Sequence, residues 1–404
     1  MKVGYLIGNF PQLSETFVSN EVVRLNRLGM DIKVYAFVGT PKDDRAKLTE
    51  EAIKLAEATT YLSKCAAVFL AALKPIQLAR LWAANRLISH TSTAKPNSLM
   101  RLIRAVAVAE VLRKDGIEHL HVHWPYATEV AWLVNRLTGM PFSVSVHAHE
   151  VAHEGGHFPL AFESLSFATF CNAGAMRYLL ANLGPMANQK AALVYHGVDI
   201  SRFEPLPPAS RADCINIVTA GRLTSTKGFD RLIKACALAR EAGVNVTLSI
   251  LGRGACEAQL RAAAHGLDFT PYLDMPGWVS HDTVRAYLES AHLFALMADT
   301  GFHDGLPNVV LEAMACSRPV IVSPLPAVGE AVDDGIEGFV LGADDDYDGF
   351  VEVLQHVSVD LPKLASMGQA ARERVVRDHD AETQIVRLKR LFDELPKASE
   401  GIAK

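Results

Sequence analysis

Val3 to Ile7 is an unbroken apolar run, the pattern of a parallel strand covered on both faces. It stops at Gly8-Asn9-Phe10-Pro11. A helix is predicted from about Ser14-Glu15-Thr16, where a hydroxyl caps free backbone N–H groups and an acid suits the helix dipole. Val18, Val22, Leu25 and Leu28 recur at helical spacing, Gly29 closes the helix, and Asp31 to Val38 reads as the next strand. The same strand–helix–strand alternation returns in IEHLHVHW, a helix from about Ala127 to Leu137, and PFSVSVHAHE.

Pro205 to Asp213 (PLPPASRAD) carries three prolines and little apolar content, so the join between two domains is expected there, at 1–206 and 207–404. A second series follows at once: INIVTAGRL, a helix over Phe229 to Ala242, VTLSILG, a helix over Ala255 to His265, LFALMA, a helix over Val309 to Ala315, and PVIVS. Two such series predict an α/β protein of two doubly wound, Rossmann-like domains. The amphipathic segment Thr383 to Leu395 is expected to pack back on the N-terminal domain.

Composition changes this picture little. The chain has 404 residues, 50% hydrophobic and 21% charged, which is ordinary for a globular protein with ample core. A formal charge of −5 argues against nucleic acid as the main partner. The six cysteines are scattered without a CxxC pair and read as thiols of a reducing compartment. The N-terminal apolar run is too short for a signal peptide, and no stretch approaches the ~18 apolar residues of a spanning helix. A cytoplasmic protein is therefore expected.

Charge distribution adds one feature. Between Tyr61 and Lys114 stand nine basic residues and a single acid, Glu110, interleaved with apolar runs such as AAVFLAAL. Such basic-apolar helices suit the surface of an anionic membrane, here the inner face of the cell membrane; a partly buried helical pair with a basic rim is the alternative.

Two segments carry candidate chemistry. In Asp304-Gly-Leu-Pro-Asn-Val-Val-Leu-Glu312, Pro307 suits the first turn of a helix, Asp304 precedes it, and Glu312 lies just over one turn inside. The N–H groups of Gly305 and Leu306 offer a site for phosphate or sugar oxygens, and the two carboxylates address two ends of one ligand. On spacing alone, a capped surface helix remains the alternative. In Gly221-Arg222-Leu-Thr-Ser-Thr-Lys227-Gly228, a loop between strand and helix presents a guanidinium fork and a point charge, enough to hold a diphosphate. The P-loop spacing is absent.

The order GRL…KG, then PGWVS, then DGLPNVVLEAMA resembles the retaining glycosyltransferases of the GT-B fold, in the large group 1 family. The likeness extends over nearly the whole chain, through FPQLSETFV, SVHAHE and YHGVDISRF, and the first two are similar to the colanic-acid-type exopolysaccharide branch. The resemblance implies that Arg222 and Lys227 hold the diphosphate of a UDP-, GDP- or ADP-sugar. Glu312 would then bond the ribose, and Asp304 with the Gly305–Leu306–Pro307 backbone would hold the sugar. Gly221, Gly252 and Asn308 complete the donor site, with backbone near Trp278 and Val279 at the base. His147 would face the reacting sugar, and Gly8, Ser14, Glu15, His123 and His149 would lie on the acceptor side, toward a saccharide that is plausibly lipid-linked. No metal or cofactor is expected, since the two cations stabilise the leaving group themselves.

The chain departs from the family in three places. Asp304 replaces a commoner Glu, Ser317 stands where a glycine usually ends the helix, and Gly8 stands without a second glycine.

Other signals carry rival readings. His149-Glu150-Val151-Ala152-His153 is a literal HExxH, but it abuts a strand and meets Gly155-Gly156 within a turn, unlike a zincin helix. His119, His121 and His123 share one strand face and read as polar lining of a cleft floor. Asp344-Asp345-Asp346 reads as a solvated loop. A non-catalytic nucleotide-sugar-binding protein on the same fold and a zinc hydrolase are the alternative functions.

Overall fold

The computed structural model describes residues 1–12, 16–41, 45, 48–91, 98–147, 158–209, 213–300 and 305–396. The chain forms two compact units, Met1–Val194 with Ile385–Lys404, and Tyr195–Gln384. The proline-rich stretch at 205–213, where the sequence suggested the join, lies inside the second unit.

Unit 1 is built on seven parallel strands: β1 (Lys2–Asn9), β2 (Asp31–Val38), β3 (Thr60–Tyr61), β4 (His119–His123), β5 (Phe142–Val146), β6 (Ala168–Phe170) and β7 (Ala191–Leu193). Their order is β3-β2-β1-β4-β5-β6-β7. Alternate residues of β1 serve the two faces, as the pleat requires. Leu6 joins a core with the helices Ser98–Lys114 and Pro125–Thr138. Val3, Tyr5 and Ile7 join another with Val18, Val22 and Leu25 of the helix Thr16–Arg27. Ile385, Leu388 and Phe392, from the helix Ala381–Asp393, complete that second cluster.

Unit 2 carries six parallel strands: β8 (Ile215–Ala220), β9 (Val246–Leu251), β10 (Leu273–Gly277), β11 (Leu293–Leu296), β12 (Val320–Val322) and β13 (Gly338–Val340). The order β10-β9-β8-β11-β12-β13 is the doubly wound arrangement, with its reversal between β8 and β11. Near-continuous burial along β8, β11 and β12 reflects helices on both faces at the centre of the sheet. Ligands of such sheets bind beyond the strand ends at the reversal, and the loops leaving β8 and β11 are those that carry the two candidate motifs.

Candidate donor and acceptor sites

The loops after β8, β9 and β10 are tied together through backbone. Gly221 N–H donates to Leu251 O (2.9 Å), Leu223 N–H to Arg253 O (3.0 Å) and Gly252 N–H to Gly277 O (2.9 Å). Glycine is obligatory at two of these crossings. Gly252 has φ 147°, and a Cβ there would collide with the Gly221 carbonyl oxygen. Gly228 has φ 64°, and its Cβ would meet the Met297 carbonyl at the end of β11. Asp299 N–H donates to Thr226 O at 2.9 Å, so the loops from the two strands flanking the reversal are also joined.

On this frame Arg222 is exposed, its carbonyl accepts from Thr224 N–H at 2.8 Å, and its guanidinium makes no hydrogen bond or ion pair among the described residues. Lys227 lies one turn away, partly buried, in the short helix Ser225–Lys227. Gly305 is buried at φ 64°. Pro307 is the cap of the helix Asn308–Ala315 rather than a residue of its first turn, because its ψ of 128° is extended; Asn308 begins the helix. No side chain caps that helix, and Leu306 packs against the core below.

Glu312 is the fifth residue of that helix. Its carboxylate has no hydrogen-bond or ion-pair partner among the described residues and keeps some solvent access. Lost hydration in this crowded position pushes its pKa up to about 7, against a smaller opposing pull from Arg202. A carboxyl poised in this way at a ligand-binding strand end is a functional signal. Trp278 is 48% exposed, while Val279 packs on the core. Asp304 lies outside the described residues.

Ser317 follows the helix at φ 57°, the left-handed conformation that a glycine adopts without cost. Its N–H donates to Met314 O and that of Arg318 to Ala313 O, so the helix end is fully bonded despite the serine. The acidic run is a correction to the sequence reading, because it is not merely a solvated loop. Asp344 pairs with Arg231 at 3.5 Å, and Asp346 caps the helix Tyr347–Ser358 by accepting from Gly349 N.

In unit 1 the structure corrects the reading of the histidines. His119, His121 and His123 are buried rather than lining an open floor, because Phe167 and Phe392 pack over His119 and His121, and Tyr5, Trp124 and His147 surround His123. His119 and His121 share Ser143 Oγ (2.8 and 2.7 Å), and His121 Nε2 lies 3.0 Å from Ser145 Oγ. Burial holds His119 down to about 3 and His121 well below the usual histidine value, so both rings are neutral. His123 Nδ1 meets His147 Nε2 at 3.2 Å, and the His147 ring stacks on Trp124 and touches Phe17.

Glu21 is the residue that sequence reasoning missed. From the helix Thr16–Arg27 it accepts a bond from Tyr5 OH at 2.8 Å and places Oε1 3.3 Å from His123 Nε2. No local spacing signals this, since the contact joins a helix to two strands. Gly8 lies in β1 with open space beside it. Ser14, Glu15, His149 and the HExxH segment lie outside the described residues.

Two of the nine basic residues of 61–114 do not belong to a surface. Arg101 is fully buried, bonding Glu129 (2.9 Å) and Asn85 (2.8 Å), and Arg104 stacks over Phe37 at 4.2 Å. Among the described residues no single helix is long and apolar enough to cross a membrane. A pair bent by 110°, Lys64–Ala72 with Pro75–Ile88, meets that composition only jointly.

Two doubly wound parallel units, with glycine-shaped loops at the strand reversal of the second, are the GT-B fold. The solved structure of Anabaena Alr3699/HepE in complex with UDP has this fold, with a TM-score of 0.74 at 14% identity over 98% of this chain and 100% of that one. Residues 214–360 match the family described as Glycosyl transferases group 1. The chain is 26% identical to the colanic acid biosynthesis glycosyltransferase WcaL of Escherichia coli K12, over 96% of this chain and 97% of that protein. It is 25% identical to the amylovoran biosynthesis glycosyltransferase AmsK of Erwinia amylovora, over 93% and 95%. Over nearly its whole length the chain is thus similar to the glycosyltransferases WcaL and AmsK, and its residues 214–360 carry the group 1 match.

Proposed function

We propose that this glycosyltransferase moves a hexosyl unit, with retention at the anomeric carbon and without a metal, from a UDP-, GDP- or ADP-sugar to a lipid-linked saccharide of a surface polysaccharide. The observation that carries the donor assignment is an unpartnered guanidinium, Arg222, and a carboxyl raised to about 7, Glu312, on loops and helix at one strand reversal. Arg222 and Lys227 stabilise the charge that grows on the departing diphosphate. Ribose hydroxyls donating to Glu312 restore its ionised form. The N–H groups around Gly305 and Leu306, with Asp304 and Asn308, hold the sugar; Gly221 and Gly252 let backbone approach the donor, and Trp278 and Val279 lie by the base. His147, fixed by His123, serves the reacting sugar from unit 1, with Gly8, Ser14, Glu15 and His149 on the acceptor side. Full-length similarity to polysaccharide enzymes supports the acceptor class.

Thermal-shift measurement with UDP, GDP, ADP, CMP and NAD tests the donor. One nucleoside diphosphate at ~100 times its dissociation constant should add about 2.7 kcal/mol of stability. Lys227→Ala should lose that shift. A wild type unmoved by every nucleotide sinks the assignment, and NMR of the product linkage decides retention.

Peripheral contact with the inner face of the cell membrane is part of the same proposal. Phe69, Leu73, Ile76 and Trp82 are 66%, 62%, 74% and 55% exposed on the helices Lys64–Ala72 and Pro75–Thr91 and, for Leu73, at the turn between them, beside exposed Lys64, Arg80 and Arg86. Large apolar side chains in water beside cations suit an anionic bilayer surface. Flotation with anionic liposomes at low salt should recover the wild type and lose a Phe69→Ser/Ile76→Ser/Trp82→Ser variant. Failure of the wild type to float removes the membrane claim and leaves the transfer claim standing.

A further inference from the structure

His121 and His123 project from one face of β4, and Glu21 reaches them from the helix Thr16–Arg27. Ligand atoms of the three residues all lie within 4.8 Å of one another. Glu21 Oε1 is 3.3 Å from His123 Nε2 and 3.9 Å from His121 Nε2. The edge of a tetrahedron around zinc with bonds of 2.0–2.1 Å is about 3.3–3.4 Å. These separations therefore come close to those of a two-histidine, one-carboxylate zinc site before any ligand moves.

Two further observations point to a ligand. His123 Nε2 is buried and makes no hydrogen bond, although it faces Glu21. A ring nitrogen sealed from water without a partner costs free energy that a metal bond would recover. Each residue also has the outer partner that metal ligands use. His121 Nδ1 meets Ser143 Oγ at 2.7 Å, His123 Nδ1 meets His147 Nε2 at 3.2 Å, and Tyr5 OH donates to Glu21 at 2.8 Å. Ser145 Oγ, now 3.0 Å from His121 Nε2, keeps Thr169 Oγ1 as an alternative partner at 2.8 Å.

The geometry points to a site for one divalent transition metal of the zinc type, held in unit 1 by Glu21, His121 and His123, with water in the fourth position. Two neutral imidazoles and a carboxylate leave the ion a net single positive charge, compatible with an open water ligand. The ion ties the helix Thr16–Arg27 to the sheet. Metal on Nε2 also fixes His123 as the Nδ1–H tautomer, which donates to His147 Nε2 and sets the orientation of that ring. The site itself stands apart from the donor reading of unit 2; only its effect on His147 rests on that reading. It touches no donor atom, so transfer without a metal at the diphosphate is compatible with it.

Untagged protein exchanged into Zn2+, passed through gel filtration and analysed for metal should retain about one zinc per chain. Zn2+ alone should raise the melting temperature, and Co2+ should give the visible absorption of a tetrahedral site. His123→Ala and the near-isosteric Glu21→Gln should each retain less than a tenth as much zinc, while His149→Ala retains it. In every variant the nucleotide-induced thermal shift should persist, because unit 2 is untouched. A folded wild type that retains less than a tenth of an equivalent overturns the site. So does zinc that survives in Glu21→Gln or His123→Ala and disappears in His149→Ala, since the ion then belongs to the other histidines.

Discussion

In unit 2, Arg222 sits on a loop after β8 and Glu312 in the helix Asn308–Ala315, beside loops whose course needs glycine at 228 and 252. In unit 1, His119, His121 and His123 run the length of β4 and are buried, the first two beneath Phe167 and Phe392 and the third against His147 and Glu21. Both units are doubly wound sheets, yet unit 2 leaves the Arg222 guanidinium and the Glu312 carboxylate without partners among the described residues, while unit 1 satisfies most of its polar groups internally. Where backbone makes the site, the Arg222 guanidinium and the Glu312 carboxylate need no partner to hold its shape. Where side chains make the network, most groups are spent on one another; of the two ring nitrogens of these three histidines left without a hydrogen bond, His119 Nδ1 and His123 Nε2, the second faces Glu21.

Substitutions can break this contrast, the largest effects first. Arg101→Ala should destabilise unit 1 by about 3–5 kcal/mol, because Glu129 and Asn85 lose a buried cationic partner; chemical denaturation should show it with donor affinity intact. Gly228→Ala should cost on the order of 3 kcal/mol, through a left-handed backbone and a collision with the Met297 carbonyl, and should abolish donor binding as well. Arg222→Ala should do the reverse of Arg101→Ala, leaving the melting temperature within about a degree or two while kcat/KM falls roughly 10²–10³-fold. If Arg222→Ala instead unfolds the protein, the residue is structural and the contrast fails.

Glu312 sharpens the comparison through pH. Its folded pKa of about 7 lies above that of an unfolded carboxyl, so its contribution is fully present below the unfolded value. That contribution is lost as pH rises through about 7. Ligand-free Glu312→Gln should therefore exceed the wild type in stability at pH 8 by roughly 1–2 kcal/mol, while binding donor less tightly. Thermal melts between pH 5 and 8 test this. The smallest effect is Ser317→Gly, which relieves a left-handed serine and should stabilise unit 2 by about 0.5–1 kcal/mol without changing turnover.

Most strands of unit 2 were legible because a doubly covered parallel strand is a continuous apolar run, and INIVTA, VTLSIL and VIV have no other economical reading. The positions of Arg222 and Lys227 followed, since a loop between strand and helix at the reversal is a local feature. Asp344 was less legible, because its partner Arg231 stands more than a hundred residues away. Arg101 likewise read as one of a row of surface cations, and only Asn85 and Glu129 on neighbouring helices explain its burial.

Legible in the residues alone were the two α/β series, the loop that bears Arg222 and Lys227, the helix that bears Glu312, and the excess of cations beside apolar runs in 61–114. These depend on periodicity and on neighbours a few residues apart. Only the tertiary structure decided that His123 is buried, that Glu21 meets it, and that Glu312 is a carboxyl held near neutrality. Burial and electrostatic environment are set by what packs against a residue from distant parts of the chain, and no local pattern encodes that.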